Sequence, residues 1–329
     1  MSHASLPVTA VSSPLARRVA VALLLLLAVA PVYAHLAGNP FVITLLNRVL
    51  VLAIAAVSLN LVLGFGGMVS FGHALYLGLG VYAAAIPAFH GIDNGWLQVL
   101  ITVAGCGLVG LVTGSIVLRT TGIAFIMITL AFAQMFYFLF VSLSQYGGDD
   151  GLRLAAGTQF SGLNLANAHV LYGVSFVLLC AVLYVSHRLV HSRFGTVLRA
   201  GKSNPQRMKA LGYPLFRYQL AAYVIAAIVC GVAGLLYANL TQFASPSYMA
   251  WSMSGELIVM VVLGGMGTLF GPLFGALGML LTEEWLKSLT EHWMIIFGPL
   301  IVLVVSISRL GIAGLLLRPR RKTSPREPA

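Results

Sequence analysis

Long apolar runs separated by short polar breaks dominate the chain. A helix needs about 20 apolar residues to cross the hydrocarbon core of a bilayer. Runs of that kind lie at 19–34, 96–118, 123–143, 169–189 and 218–240. The run 41–87 is too long for one crossing and holds two, with the natural break at Gly64-Phe65-Gly66-Gly67. Three further apolar stretches follow at 252–263, 269–286 and 294–307, the first of them short for a crossing. The pattern predicts an all-α membrane protein: a polytopic bundle of about ten transmembrane segments, with discontinuous helices where glycines interrupt the runs. Domain boundaries follow from the same pattern. Residues 1–16, rich in Ser and Pro, read as a disordered cytoplasmic N-terminus, 17–317 as the transmembrane domain and 318–329 as a basic cytoplasmic tail. The run 19–34 reads as a retained first span, although Val32-Tyr33-Ala34 would also suit signal-peptide cleavage.

Charge orients the bundle. Residues 188–217 are a polar island holding Arg188, Arg193, Arg199, Lys202, Arg207, Lys209 and Arg217, and no acid. Basic loops of this length stay in the cytoplasm. Arg17-Arg18, Arg119 and the tail Arg318-Pro319-Arg320-Arg321-Lys322 agree with that sense, and the acids of the loop 145–168 fit the outside. Both termini are therefore expected in the cytoplasm.

Inside the island, Ser203-Asn204-Pro205 reads as a helix start, with a capping side chain followed by proline. Gly212 reads as the stop, with Pro214 beyond it. The short helix between them is marginal alone and needs a partner. Met208 and Leu211 are spaced to share one face, with Arg207 and Lys209 at polar positions. Lipid headgroups would attract such a basic segment. The apolar face is too small for strong membrane burial, so docking to a soluble cytoplasmic protein is the preferred reading.

Composition excludes other classes. The 329 residues are 59% hydrophobic and 8% charged, with a mean hydropathy of +0.96. The net charge of +11 resides at span ends, in the central loop and in the tail, and no basic surface with interleaved aromatics points to nucleic acid; membrane lipid is the expected environment. Cys106, Cys180 and Cys230 each sit in apolar stretches and read as packing residues. No carboxylate pair, zinc signature or Ser/His/Asp order is present, so neither catalysis, metal nor cofactor is expected. The segment from Gly195 to Ser203 imitates a phosphate loop but has five residues between its glycines instead of four, and no strand precedes it; ATP binding by this chain is rejected.

Among the acids only Glu256 lies well inside an apolar stretch, while Glu283, Glu284 and Glu291 are placed beyond their span. Glu256 and Arg48 each cost a few kcal/mol at the bilayer centre and so must face a polar interior, an interface or a partner. Glu256 is a candidate for the substrate path or for a structural hydrogen bond. Gln134 and Asn60 read as mid-span polar glue. His73 reads more readily as a packing residue than as a proton carrier. The stretches from Gly66-Gly67-Met68 to Leu79-Gly80 and from Gly264-Gly265-Met266 to Leu277-Gly278 are equally long and suggest a duplicated element. Such glycines mark either discontinuous helices along a substrate path or close helix packing. Gly66, Gly67, His73, Glu256, Gly264 and Gly265 are the path candidates.

These residues resemble a known family. The sequence Leu59-Asn60-Leu61-Val62-Leu63-Gly64 with Ser70-Phe71-Gly72-His73-Ala74, then Thr129-Leu130-Ala131-Phe132, Gly147-Gly148-Asp149-Asp150-Gly151-Leu152, Arg193-Phe194-Gly195 through Ala210-Leu211-Gly212, Ser245-Pro246 and 261–268 is similar to permease subunits of branched-chain amino-acid ABC importers, the Liv type, and to the longer of the two permeases. The resemblance implies a non-catalytic transport subunit in a bacterial inner membrane. Its implied partners are two ATP-binding subunits, a second permease subunit and a periplasmic substrate-binding protein. It also implies that the central loop couples to the ATPases, through Arg199, Ser203, Arg207, Met208, Lys209, Leu211 and Gly212. Relatives that carry urea or short amides keep those substrates open, and an ion-coupled secondary transporter is the rival of a different class. Gly201-Lys202-Ser203 lacks the acid often found there, and Ser308-Arg309-Leu310-Gly311 lacks the usual Arg-Pro-x-Gly-Leu ending.

Overall fold

The apolar runs fold into helices at nearly every expected position. The structure, a computed structural model, describes residues 14–36, 40–154 and 157–307. The expected tail 318–329 and the ending at 308–311 lie outside the described residues. Within them the chain forms α1 (Pro14–Leu36), α2 (Pro40–Asn60), α3 (His73–Phe89), α4 (Gly95–Val117), α5 (Ile123–Ser142), α6 (Ala168–His191), α7 (Arg193–Ser203), α8 (Pro205–Ala210), α9 (Leu215–Thr241), α10 (Trp251–Gly264), α11 (Gly271–Leu289) and α12 (Trp293–Ile307). Among the described residues, five segments are long and apolar enough to cross a membrane: Pro40–Phe65, Gly95–Val117, Ile123–Ser142, Ala168–His191 and Leu215–Thr241. The apolar parts of α1, α3, α10 and α12 are shorter.

The bundle is organised around α2 and α9. Most of each is buried, whereas α4, α5 and α6 turn Leu100, Leu108, Met127, Phe138 and Val177 outward, as lipid-facing helices do. Close approach of α3 to α9 needs glycine. A Cβ at Gly80 would collide with the Gly231 carbonyl, and one at Gly234 with the Leu77 carbonyl. Without a hydrophobic drive between helices in lipid, small residues that let backbones touch supply the packing.

Two of the helices are interrupted. A π-turn (Leu61–Phe65) extends α2, and an irregular segment then leads to α3. His73, the first residue of α3, hydrogen-bonds Ser58 of α2, seven residues before Phe65. At 1.5 Å per residue, α3 therefore starts about 10 Å inside the end of the preceding helix. From the other direction, a buried 3-10 turn (Pro246–Met249) packs Met249 against Gly78 before α10 begins. The Ala74 N–H of α3 donates to Ser254 Oγ in the first turn of α10 (3.0 Å). Two broken segments thus enter from opposite ends, and two helix N-termini meet inside the bundle. Pro246 and Met249 are buried because the segment turns back between α3 and α5.

The two ends of the bundle differ. One carries short strands, β1 (Leu152–Arg153) paired with β4 (Phe243–Ala244) and β2 (Gln159–Phe160) paired with β3 (Leu163–Asn164), all antiparallel. A buried trio ties this end together: Thr158 Oγ1 donates to Gln98 Oε1, and Asn239 Nδ2 donates to Thr158 Oγ1. The other end carries α7, α8 and both glycine turns.

Candidate functional site

The two similar glycine stretches lie side by side at the basic end. Each follows a helix that ends there, α2 in the first copy and α10 in the second, so both run in the same direction. Gly67 (φ 72°) and Gly265 and Gly267 (φ 118° and 74°) adopt left-handed conformations that other residues rarely reach. Asn60 stitches the turns together. Its Nδ2 donates to the Thr268 carbonyl (2.8 Å) and its Oδ1 accepts from the Gly267 N–H (3.0 Å). Gly64 must lack a side chain, because a Cβ there would lie 2.5 Å from the Gly267 nitrogen. Gly264 answers to packing: a Cβ would strike the Gly271 carbonyl of α11.

The end of α2 is wound one residue wider than an α-helix. The Gly66 N–H reaches Leu61 O five residues back and the Met68 N–H reaches Val62 O six back, while the Gly67 N–H keeps the α spacing to Leu63 O. In an α-helical register the Met68 N–H would belong to Gly64 O. That carbonyl instead accepts from Lys202 Nζ of α7 (2.7 Å). The lysine stem crosses the turn, with Cγ 2.7 Å from where a Gly67 Cβ would be. Partial burial lowers the Lys202 pKa below the ordinary lysine value. Sequence reading missed α7, although Phe194, Val197, Leu198 and Gly201 recur at helical spacing. Its apolar face is seated on the π-turn: Leu198 and Phe194 pack with Leu61, Phe65, Val190 and Ala222. The imitation phosphate loop is this helix and not a strand-to-helix turn.

The expected helix start is present. Asn204 caps α8 by accepting from the Arg207 N–H (2.9 Å), with Pro205 at the first position, and Gly212 (φ 81°) ends it. The expected pairing of Met208 with Leu211 is not. Met208 turns inward against Val197 and Leu215, whereas Leu211 is 63% exposed beside the exposed Tyr213. A six-residue helix returning toward α9 points position 208 at its own chain, and the residue just past its end outward. Arg199 is also occupied internally, donating from Nε to Gly195 O and from a terminal nitrogen to Val190 O (both 3.2 Å), which braces the α6–α7 bend. Ser203 Oγ donates to Ala200 O. Arg207 and Lys209 remain on the exposed side.

His73 is enclosed. Ser58 Oγ gives its one proton to Ala55 O (2.6 Å), so His73 Nε2 must donate to Ser58 (2.9 Å). That assigns the tautomer and makes His73 an internal strut, together with its carbonyl, which accepts from Cys230 Sγ. The acids are redistributed relative to the sequence reading. Glu283 is the buried one: it lies within α11, paired with Arg48 of α2 (3.6 Å) and with Lys287 one turn on. Glu283 sits on the face of α11 that packs against α2, which carries it into the bundle. Glu256 on α10 is half-buried near this cluster and makes no ion pair among the described residues. A cleft of 220 Å³ between α2, α6 and α9 is lined mainly by Leu61, Leu178, Val182, Val185 and Ile225. Such walls suit an acyl chain or an apolar side chain, not a charged head group. No cluster of potential metal ligands occurs among the described residues.

Residues 41–305 match the model of a family described as branched-chain amino acid transport system / permease component. The chain is 26% identical over 307 residues to the high-affinity branched-chain amino acid transport system permease protein LivM of Escherichia coli K12, covering 86% of this chain and 71% of the relative. It is 25% identical to the Salmonella typhimurium LivM (77% of this chain, 65% of the relative) and 24% identical to the E. coli K12 LivH (80% and 91%). No solved structure matches the chain significantly. The family match spans most of the chain, including both glycine turns and the basic loop between them, and the chain belongs to the permease-component family of branched-chain amino acid transport systems.

Proposed function

We propose that the chain is the membrane-spanning permease subunit of an ATP-driven importer for amino acids, branched-chain ones foremost. It works with two ATP-binding subunits, a second permease and a periplasmic substrate-binding protein, in a bacterial inner membrane with both termini cytoplasmic. The observation that carries this reading is the direct seating of the basic loop on the interrupted helices. A subunit that only spans the membrane has no need to join an exposed cytoplasmic surface to the turn of a broken helix. A subunit driven from the cytoplasm does. In this reading Leu211 and Tyr213 present the apolar contact to an ATPase, Arg207 and Lys209 meet acids at its rim, and Met208 anchors α8 to the membrane domain.

The rest of the chain holds and moves substrate without chemistry on it. Two helix N-termini converging inside the bundle place positive dipole ends at mid-depth, the arrangement discontinuous helices use toward substrate carboxylates. Glycine turns with left-handed residues supply the hinge at the basic end. The test is uptake into liposomes. Reconstituted with the cognate ATPases, second permease and binding protein, the complex should accumulate leucine only with ATP inside the appropriate face. Uptake by this chain alone, driven by an ion gradient, would replace the importer by a secondary transporter. ATP-dependent uptake of urea but not leucine would keep the importer and change its substrate.

A further inference from the structure

We propose that Lys202 is the positioning residue that couples the cytoplasmic loop to the membrane path, by holding the end of α2 in its π register. The proposal rests on the importer reading and names the contact through which the loop acts.

Three observations converge on it. The first is the carbonyl accounting at the end of α2: Leu61, Val62 and Leu63 each accept a backbone N–H, and Gly64 O accepts only from Lys202. The second is competition. The Met68 N–H that Gly64 O would take in an α-helical register is bonded to Val62 O instead. Lys202 thus occupies the acceptor that a return to α winding requires. The two registers are discrete, since each fixes a different set of backbone pairs, and π-turns recur at functional sites for this reason. The third is rigid attachment on both sides. Arg199 braces α7 to α6, Asn204 starts α8 directly from α7, and Val197, Met208 and Leu215 form one small core. On the membrane side, Gly64 abuts Gly267, and Asn60 ties that turn to its twin. A shift of α8 by a bound ATPase therefore moves α7 as a body and draws Lys202 off Gly64 O. The freed carbonyl takes the Met68 N–H, whose reach shortens from six residues back to four, and both glycine turns move together.

A lysine suits this role. A cation is favoured at a helix C-terminus, where its partner is a dipole end and not a buried acid. Lys202 can leave to water, and Gly64 O then has a backbone donor waiting.

The test uses the reconstituted complex with its cognate partners. In the Lys202→Met variant, which keeps the apolar stem over Gly67 but lacks the ammonium, the ATPases should remain bound and the thermal stability of the complex should stay near wild type. Leucine moved per ATP hydrolysed should fall by about tenfold, the size of a typical coupling between sites. Stimulation of hydrolysis by loaded binding protein should fall with it. Lys202→Arg, which retains a donor, should recover a substantial part of both. Unchanged leucine per ATP in Lys202→Met would overturn the proposal, as would loss of the ATPases from that variant, which would make Lys202 an assembly residue. Absence of ATP-driven uptake in the wild-type complex would instead defeat the importer reading.

Discussion

Asn60 should be among the most sensitive polar positions in the chain. Its side chain is 1% exposed and makes two hydrogen bonds to the backbone of a turn more than 200 residues away, Nδ2 to Thr268 O and Oδ1 from Gly267 N–H. Asn60→Leu has nearly the same volume and branching, so it leaves no cavity and isolates the polar loss. It strands one donor and one acceptor in a dry site. Each abandoned group costs about 1–3 kcal/mol, so the pair costs about 2–6 kcal/mol. That corresponds to a melting temperature lower by roughly 3–9 °C for a chain of this size. The assay is a temperature series on detergent-purified protein, read by gel filtration with fluorescence detection. Ser175→Ala is the control, because Ser175 is fully buried and its Oγ has no partner. Removing an unsatisfied hydroxyl is neutral or stabilising. An Asn60→Leu protein melting within a degree of wild type would show that the glycine turns are held by something other than this side chain.

Further expectations follow from close packing, sidedness and docking. Gly80→Ala pushes a methyl into the Gly231 carbonyl and must separate α3 from α9, costing about 1–3 kcal/mol in the same melting assay; Gly105→Ala, which meets nothing within 4 Å, should be silent. Single cysteines at Ser203 and Gln159, which lie at opposite ends of the bundle, should react with impermeant reagent from opposite sides of the membrane; equal access from one side would overturn the ten-span arrangement. Leu211→Asp should insert and fold normally yet lose its ATPases on purification, since it places a charge where an apolar contact is needed. Met208→Asp should destabilise the loop itself, because Met208 packs against Val197 and Leu215. The reverse pattern would return Met208 to the docking face.

The sequence made the helices legible because lipid imposes one rule, that every backbone polar group be satisfied within its own segment, and length of apolar run then reports each crossing. The break at Gly64–Gly67 and the cap at Asn204 were legible for a local reason: left-handed glycine and an Asn-Pro start need no partner elsewhere in the chain. The pairing of Arg48 with Glu283 was not. It depends on how α11 packs against α2, and the 234 intervening residues carry no trace of the contact. Met208 and Leu211 show the limit of periodicity on a short helix, where the face that counts is set by how the chain returns to α9. Lys202 was visible only as a departure, a lysine in a segment where the resemblance leads one to expect an acid.

The Lys202 contact differs in kind from the ion pair between α2 and α11. Arg48 and Glu283 form a partly enclosed pair, and separating them would leave an uncompensated charge, at a cost of about 3–5 kcal/mol where burial is complete. Such a contact holds α2 to α11 throughout a transport cycle. Lys202 differs on both sides of its bond. It lies at the rim of α7, where water can take the ammonium, and its acceptor has the Met68 N–H as an alternative. Neither partner is stranded when they part, so the net difference between the two states is of the order of one hydrogen bond to a charged group, about 1.5–3 kcal/mol. A difference of that size is within reach of a docked partner, while the Arg48–Glu283 pair is not cheaply broken. The fixed ion pair and the exchangeable lysine act on the two ends of the same helix, so motion of α7 is expected to appear at the glycine turns and not at the strand end.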